Sequence, residues 1–472
     1  MLFATAQYLF AFLPLAVLAV VLAARLGGTR AALAVTACAS LVFFGWDKPV
    51  MVGLLLASMA GNFLLGRRLA QGGSGVAVGV AANLALLGWF KYAGFLATPL
   101  GSLTGAAISL PPVVLPLAIS FWTFQQIAWL VDCAKGRAPR MGVLDYAAFV
   151  AFFPQLLAGP IVRAGEMAPQ YAAAFRPGRT DVMVGVALIG MGLFKKVALA
   201  DGLAPYVDAV FSASNRAGLA DAWGGALAYT LQIYFDFSGL ADMALGSARL
   251  LGIRLPLNFD SPYKAASVSE FWKRWHVSLS RFLRDYLYIP LGGNRHGKAC
   301  QMAALLVTMV LGGLWHGAGW TFVMWGALHG FYLVAFHLFR GRLSLPRPLA
   351  VLATTIAVAV AWVFFRATSF EQAWDMLAGM AGVHGATTSG GSLLDGQLWV
   401  WLAVLWAAVW MLPNSLDWLA GHQPALGLPE RPRGFSALRP AWASMTAVLA
   451  VVAVLIVLHR GASTAPFLYM VF

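Results

Sequence analysis

KACQMAALLVTMVLGGLWHGAGWTFVMWGALHGFYLVAFHLFR, residues 298–340, decides the class of fold. Between Lys298 and Arg340 it holds no Lys, Arg, Asp or Glu. As one helix it would run roughly 60 Å at ~1.5 Å per residue, twice the ~30 Å hydrocarbon core of a bilayer. A single crossing is therefore excluded. Gly312, Gly313, Gly317 and Gly319 flank Leu314-Trp315-His316, which predicts two helical pieces with His316 at their joint. Local pattern allows that joint two places: a hairpin turn at one membrane face, or a helix break deep in a cavity.

The rest of the chain agrees with a membrane protein. Of its 472 residues 60% are hydrophobic and 11% charged, against about 25% charged in a soluble domain. So little polar surface cannot cover so apolar a chain in water. Eighteen tryptophans suit aromatic belts at both interfaces. The net charge of +14 falls mostly between apolar runs, as cytoplasmic loops do, where it faces anionic lipid or an anionic cytosolic substrate. No compact basic-aromatic module is present, so nucleic acid is not an expected partner. Cys38, Cys133 and Cys300 lie far apart, and neither a metal site nor a disulfide framework follows. The N-terminal run reads as an uncleaved first helix.

Candidate spans fall at 6–24, 31–46, 50–66, 76–98, 112–132, 143–160, 182–200, 222–248, 299–315, 318–339, 347–365, 396–412 and 440–459. Some are short, which predicts roughly 10–12 crossings beside re-entrant or interfacial pieces. Pro154 and Pro160 break the run at 143–160, and such a break needs protein or water to satisfy the freed backbone groups. The chain reads as one membrane-embedded domain: N-terminal helices over 1–110, a catalytic core over 111–380, C-terminal helices over 381–472.

Segment 249–298 differs in kind. Nine Lys and Arg stand there among Tyr263, Trp272, Trp275, Tyr286 and Tyr288. Phe271, Trp275 and Leu279 recur at helical spacing, as do Phe282, Tyr286 and Ile289, which predicts amphipathic helices at the interface or dipping into a cavity. Pro290 and Gly292-Gly293 end them.

An ionisable residue within a membrane segment is a functional candidate. His316 titrates near neutrality and can take a proton from a hydroxyl; the plainer alternative is a turn-capping interfacial histidine. His276 is the second candidate. His329, on a continuous helix, would lie far around from His316, and reads as a packed, hydrogen-bonded histidine. Asp236, Ser238 and Asp242 sit in an apolar segment, where carboxylates need partners; Arg249 or a cation of 264–284 is the expected one. No GxSxG elbow, Walker A loop, HExxH or paired-cysteine site occurs.

Five blocks together resemble the membrane-bound O-acyltransferase (MBOAT) family, in its bacterial alginate O-acetyltransferase branch. They are LPLAISFWTFQQIAWLVD at 115–132, FFPQLLAGPIVR at 152–163, the run from YFDFSG to LGGNR at 234–295, LGGLWHGAGWTFVMWGALHG at 311–330, and WVFFRA at 362–367. The closing PFLYMVF at 466–472 is also similar. The chain departs from the branch at Gly239-Leu240-Ala241-Asp242, where a GYSD-like sequence is expected, and at Gly319, where serine is.

The resemblance implies an all-α polytopic fold, with a ring of about eleven transmembrane helices and re-entrant or interfacial helices around a central funnel and tunnel. It implies that His316 and His276 are catalytic, and that the donor is a cytosolic thioester such as acetyl-CoA, with no bound cofactor. Lys273, Arg274, Arg281 and Arg284, with Trp275, are the expected donor-binding residues; Asp236, Ser238, Asp242 and Trp315 are supporting. A periplasmic SGNH-like acetyltransferase would complete transfer to an envelope polysaccharide, from an enzyme in the bacterial inner membrane. A transporter or flippase, a recruiting scaffold, and other acceptors (cellulose, peptidoglycan, a D-alanyl carrier) are the alternatives.

Overall fold

The computed structural model describes residues 1–97, 113–157, 159–341, 345–388, 391–429 and 455. The expected span at 440–459, apart from residue 455, and the block at 466–472 lie outside these. Among the described residues seven helices are long and apolar enough to cross a membrane. They are α1 (Gln7–Gly45), α2 (Val50–Ala70), α3 (Val76–Ala97), α6 (Arg179–Ser212), α10 (Gly297–His316), α11 (Trp320–Phe339) and α12 (Arg347–Arg366). The chain is a multi-pass membrane protein. Other expected spans fall short of a plain crossing. Helices α4 (Ile119–Ala134) and α14 (Gly396–Met411) have 16 residues each, and α5 (Val143–Leu156) is broken. Helix α7 (Leu219–Arg249) has 31 residues but carries Asp221, Asp236 and Asp242. Shorter helices include α8 (Val268–Arg274), α9 (Val277–Leu283) and α13 (Phe370–Met380).

The helices form two compact units. The first holds Met1–Leu193, Leu240–Leu257 and the described residues from Leu419 on. In it α1 is two arms: Gly28 has φ +71°, a conformation cheap only for glycine. Ring contacts of Phe3 and Phe12 with Phe43, at 5.8 and 5.5 Å, bring the start of one arm onto the end of the other. The expected spans at 6–24 and 31–46 are these arms. Helices α2, α3 and α4 meet where side chains are absent, Gly66 lying under the Trp129 ring. Asn62 and Asn83 pair their amides there, at 2.7 and 3.2 Å.

Helix α5 breaks at Phe152, where ψ is 103°, just ahead of Pro154. Two of the groups freed by the break find partners within the protein. The Phe149 carbonyl accepts from Gln125 Nε2 at 2.9 Å and Gln155 Nε2 at 2.8 Å, and Phe153 N–H donates to Ser40 Oγ at 3.1 Å. This explains glutamines in so apolar a setting: an orphaned carbonyl away from water costs several kcal/mol.

The second unit holds Phe194–Gly239 and Asn258–Trp418. Its centre is the antiparallel hairpin of α10 and α11. A Cβ on Gly313 would collide with the Phe322 carbonyl, one on Gly326 with the Met309 carbonyl, and one on Gly330 would come 2.9 Å from Leu306. The glycines thus let the two backbones touch, as small residues do between membrane helices. The turn is Gly317-Ala318-Gly319, so His316 stands at the hairpin tip, as the glycine pattern predicted. That tip is buried: His316 is 3% exposed.

Candidate active site

His276 is the joint between α8 and α9, with φ +42° and ψ +55°. The spacing of Phe271, Trp275 and Leu279 predicted amphipathic helices here but marked no break at His276. The chain instead turns through the left-handed region, a strain of ~1–3 kcal/mol that persists only where the surroundings impose it. Asn258 imposes it here. Its carbonyl accepts from Val277 N–H at 2.9 Å. Its Oδ1 accepts from Ser278 Oγ at 2.8 Å and Ser278 N–H at 3.3 Å, and lies 3.0 Å from His276 Nδ1. An atom facing the Ser278 N–H is an acceptor, so it is the amide oxygen, and His276 Nδ1 carries the proton. Nε2 then bears a lone pair, and it has no hydrogen-bond partner among the described residues. The ring packs against Phe237 at 4.8 Å, Phe259 at 6.4 Å and Trp315 at 6.2 Å. Burial pushes the imidazole down to about 3, so it is neutral at any physiological pH.

His316 is the last residue of α10. Its ring meets Trp315 at 4.9 Å, Trp325 at 5.0 Å and Phe365 at 5.4 Å, all edge to face. Trp315 thus touches both histidines. The carbonyl end of a helix is the end that favours cations, so a proton arriving on His316 meets a complementary dipole.

A second aromatic layer supports these residues. Trp325 packs on Trp362 at 5.5 Å, and His329 lies 4.9 Å from Trp325. His329 Nδ1 accepts from Trp272 Nε1 at 3.2 Å, and the side chain is fully buried. The packed, hydrogen-bonded reading of His329 is therefore what the structure has. The continuous-helix placement, far around from His316, does not apply: α11 folds back on α10, and both histidines lean on Trp325.

The acidic residues of α7 separate. Asp236 pairs with Lys196 at 2.8 Å, and the same ammonium reaches Asp201 at 2.8 Å. All three are buried. For Asp236 the expected partner, Arg249 or a cation of 264–284, is corrected to Lys196. Arg249, thirteen residues on, belongs to the first unit and takes Asp181 at 3.0 Å and the His422 carbonyl at 3.2 Å. Lys196 was hidden from sequence reading inside an apolar span, beside Lys195, though ionisable residues there are themselves a signal. Ser238 is buried, and its Oγ has no hydrogen-bond partner among the described residues. Asp242 is buried in the part of α7 that belongs to the first unit.

The basic segment divides too. Arg274 is held by Glu270, with contacts of 3.0 and 2.9 Å, and by the Asp260 carbonyl at 3.0 Å. Its charge is largely spent on the turn that shapes His276. Trp275 is fully buried between Phe271, Phe259 and Trp362, at 5.6, 5.1 and 5.0 Å. Lys273 and Arg284 are exposed and Arg281 partly so; Arg284 pairs with neighbouring Asp285 at 2.6 Å. Asn258, Trp325, Trp362 and Phe365 escaped sequence reading as individual residues, although each lies in a block that carried the resemblance.

The structure therefore gathers two buried histidines, one kept neutral with a bare Nε2 and one at a helix's carbonyl end, around a shared tryptophan. Comparison with known proteins is consistent with that chemistry. Residues 121–371 match the membrane-bound O-acyltransferase family. A peptidoglycan O-acetyltransferase of Helicobacter pylori is 38% identical, over 82% of this chain and 81% of its own. A probable alginate O-acetylase of Azotobacter vinelandii is 41% identical over 72% and 71%, and one of Pseudomonas aeruginosa 39% over 80% and 75%. The match of more than half the chain to the family, and relatives this similar over most of their length, establish that the chain belongs to the membrane-bound O-acyltransferase family and is an enzyme that transfers acyl groups to oxygen.

Proposed function

We propose that the chain moves an acetyl group from acetyl-CoA, a cytosolic thioester, toward a hydroxyl of a cell-envelope polysaccharide such as alginate, in the bacterial inner membrane. The observation that carries this reading is the buried pair His316 and His276, bridged by Trp315 inside the matched region 121–371. Relatives named for alginate and for peptidoglycan support a glycan hydroxyl as the acceptor class. In the proposed reaction His316 takes the acceptor hydroxyl's proton. The oxygen attacks the thioester carbonyl, the C–S bond breaks, and the proton passes to the departing thiolate. Hydroxyl plus thioester thus becomes ester plus thiol.

His276 has a narrower part. With Nδ1–H committed to Asn258, Nε2 accepts a hydrogen bond and cannot donate one to the thioester carbonyl. It accepts a hydrogen bond from a second hydroxyl of the acceptor instead, and so orients the one that reacts. Positioned acid–base chemistry of this kind contributes about 10²–10⁴-fold; orientation and the exclusion of water by the surrounding indoles supply the rest. Lys273, Arg281 and Arg284 are the proposed holders of the donor's phosphates, through charge-assisted bonds. Arg274 and Trp275 serve by shaping the joint at His276. A periplasmic SGNH-like partner would finish transfer to the polymer. The test is His316→Ala at matched membrane abundance. Loss of polymer acetylation is expected, and near-normal acetylation would sink the assignment.

A further inference from the structure

We propose that the first unit holds a specific site for an anionic phospholipid, at the reversal of α1, separate from the acyl-transfer chemistry. An apolar groove of about 520 Å³ runs along the first arm of α1. Leu9, Leu13, Val17 and Val21 form one wall, with Val186 and Leu193 of α6 opposite. At Val21 it meets a second cavity of about 640 Å³, lined also by Arg25, Arg176, Pro177 and Val182. One end of the combined site is therefore purely apolar and the other carries two guanidinium groups.

The dimensions and charge select the occupant. Leu9 to Val21 spans about 18 Å at ~1.5 Å per residue, close to the ~15 Å of one leaflet in a ~30 Å core. The basic end lies by the chain reversal at Gly28, which a pair of apolar arms puts at the edge of the hydrocarbon layer. An acyl chain in the groove thus sets its phosphate beside Arg25 and Arg176. Both arginines are exposed. Arg176 Nη2 touches the Ala24 carbonyl at 3.5 Å, the outer limit of a hydrogen bond, and a guanidinium has five donors to give. The nearby carboxylate of Asp181 does not oppose an anion. It is already held by Arg249 at 3.0 Å and by Gly178 N–H at 2.9 Å. A zwitterionic lipid fills the groove equally well but brings a cation to the arginines; an anionic diacyl lipid satisfies both ends.

Full-length protein is delipidated in detergent and exposed to phosphatidylglycerol or phosphatidylcholine of identical chains, with retained lipid read by native mass spectrometry. One phosphatidylglycerol is expected to be retained at least about fivefold over phosphatidylcholine, a difference of ~1 kcal/mol. Arg25→Gln/Arg176→Gln is expected to remove that preference while phosphatidylcholine retention stays unchanged. Val17→Phe, which fills the groove, is expected to lower retention of both. Equal retention of the two lipids by the unaltered protein overturns the proposal. So does displacement of phosphatidylglycerol by glycerol 3-phosphate alone, which would make this a free-phosphate site. Phosphatidylglycerol with a photoreactive acyl chain gives a readout needing no variant. Adducts are expected on 9–21 and 186–193, and an even spread over all apolar helices rejects the site.

Discussion

His276 and Asn258 show how one amide sets the chemistry of a histidine. The side-chain oxygen of Asn258 is the acceptor for Ser278 and for His276 Nδ1, so it fixes both the tautomer and the left-handed joint. Asn258→Ala is expected to lower kcat by roughly 10²-fold, the lower end of what a positioned acid–base group contributes. Asn258→Asp keeps an acceptor on Nδ1 and should recover part of that loss, with a shifted pH profile. A variant pair equally inactive and equally folded would mean Asn258 only braces the backbone. The same burial makes a stability prediction. The His276 imidazole titrates at about 3 when folded, against an ordinary 6.5. The unfolded chain therefore binds more protons between those values, and stability falls as pH drops from 6.5 toward 3. Melting of the detergent-solubilised protein between pH 7 and pH 5 should show a steeper decline for the native chain than for His276→Gln. Parallel slopes would mean that the folded state admits the proton.

At the scale of elements, the α10–α11 hairpin was the most legible part of the molecule. A charge-free run too long for one crossing, with glycines on both sides of His316, required two pieces and a joint. What the sequence could not say was which backbone each glycine meets. Gly313, Gly326 and Gly330 mark a contact seam that appears only once the hairpin closes. The break at α8–α9 was illegible for the opposite reason. Phe271, Trp275 and Leu279 keep helical spacing across it, because the aromatic core selects those side chains whether or not the helix continues. The seam makes a sharp prediction. Gly326→Val forces a side chain onto the Met309 carbonyl, where nothing flexible can yield, so overpacking of ~1–3 kcal/mol or more is expected. A lowered melting temperature and diminished folded yield should follow. Gly341→Ala, in open space but at φ +83°, should cost less by the same assay.

At the scale of the whole molecule, composition alone placed the chain in a membrane, and ordered blocks placed its family. Their meaning became physical only in three dimensions. WVFFRA at 362–367 supplies Trp362 and Phe365 to the rings around His316 and Trp325, and the Asn258-Phe259 pair of the third block holds His276. The buried Lys196–Asp236 pair stayed out of reach, since its members lie forty residues apart in two apolar runs and no local pattern joins them. The charge distribution carries the last prediction. Exposed Lys273, Arg284, Arg295 and Lys298 crowd one stretch of a chain with net charge +14, and such stretches stay cytoplasmic. If they hold the donor, acetyl-CoA is consumed only from that face. Sealed inverted vesicles given external acetyl-CoA should release free CoA, and sealed right-side-out vesicles should not until permeabilised. Lys273→Glu/Arg281→Glu should raise the KM for acetyl-CoA while leaving kcat nearly unchanged, the signature of lost uniform binding, and the rise should shrink with salt. Equal consumption from both faces, or an unchanged KM, would move the donor away from this stretch and leave its charge to lipid alone.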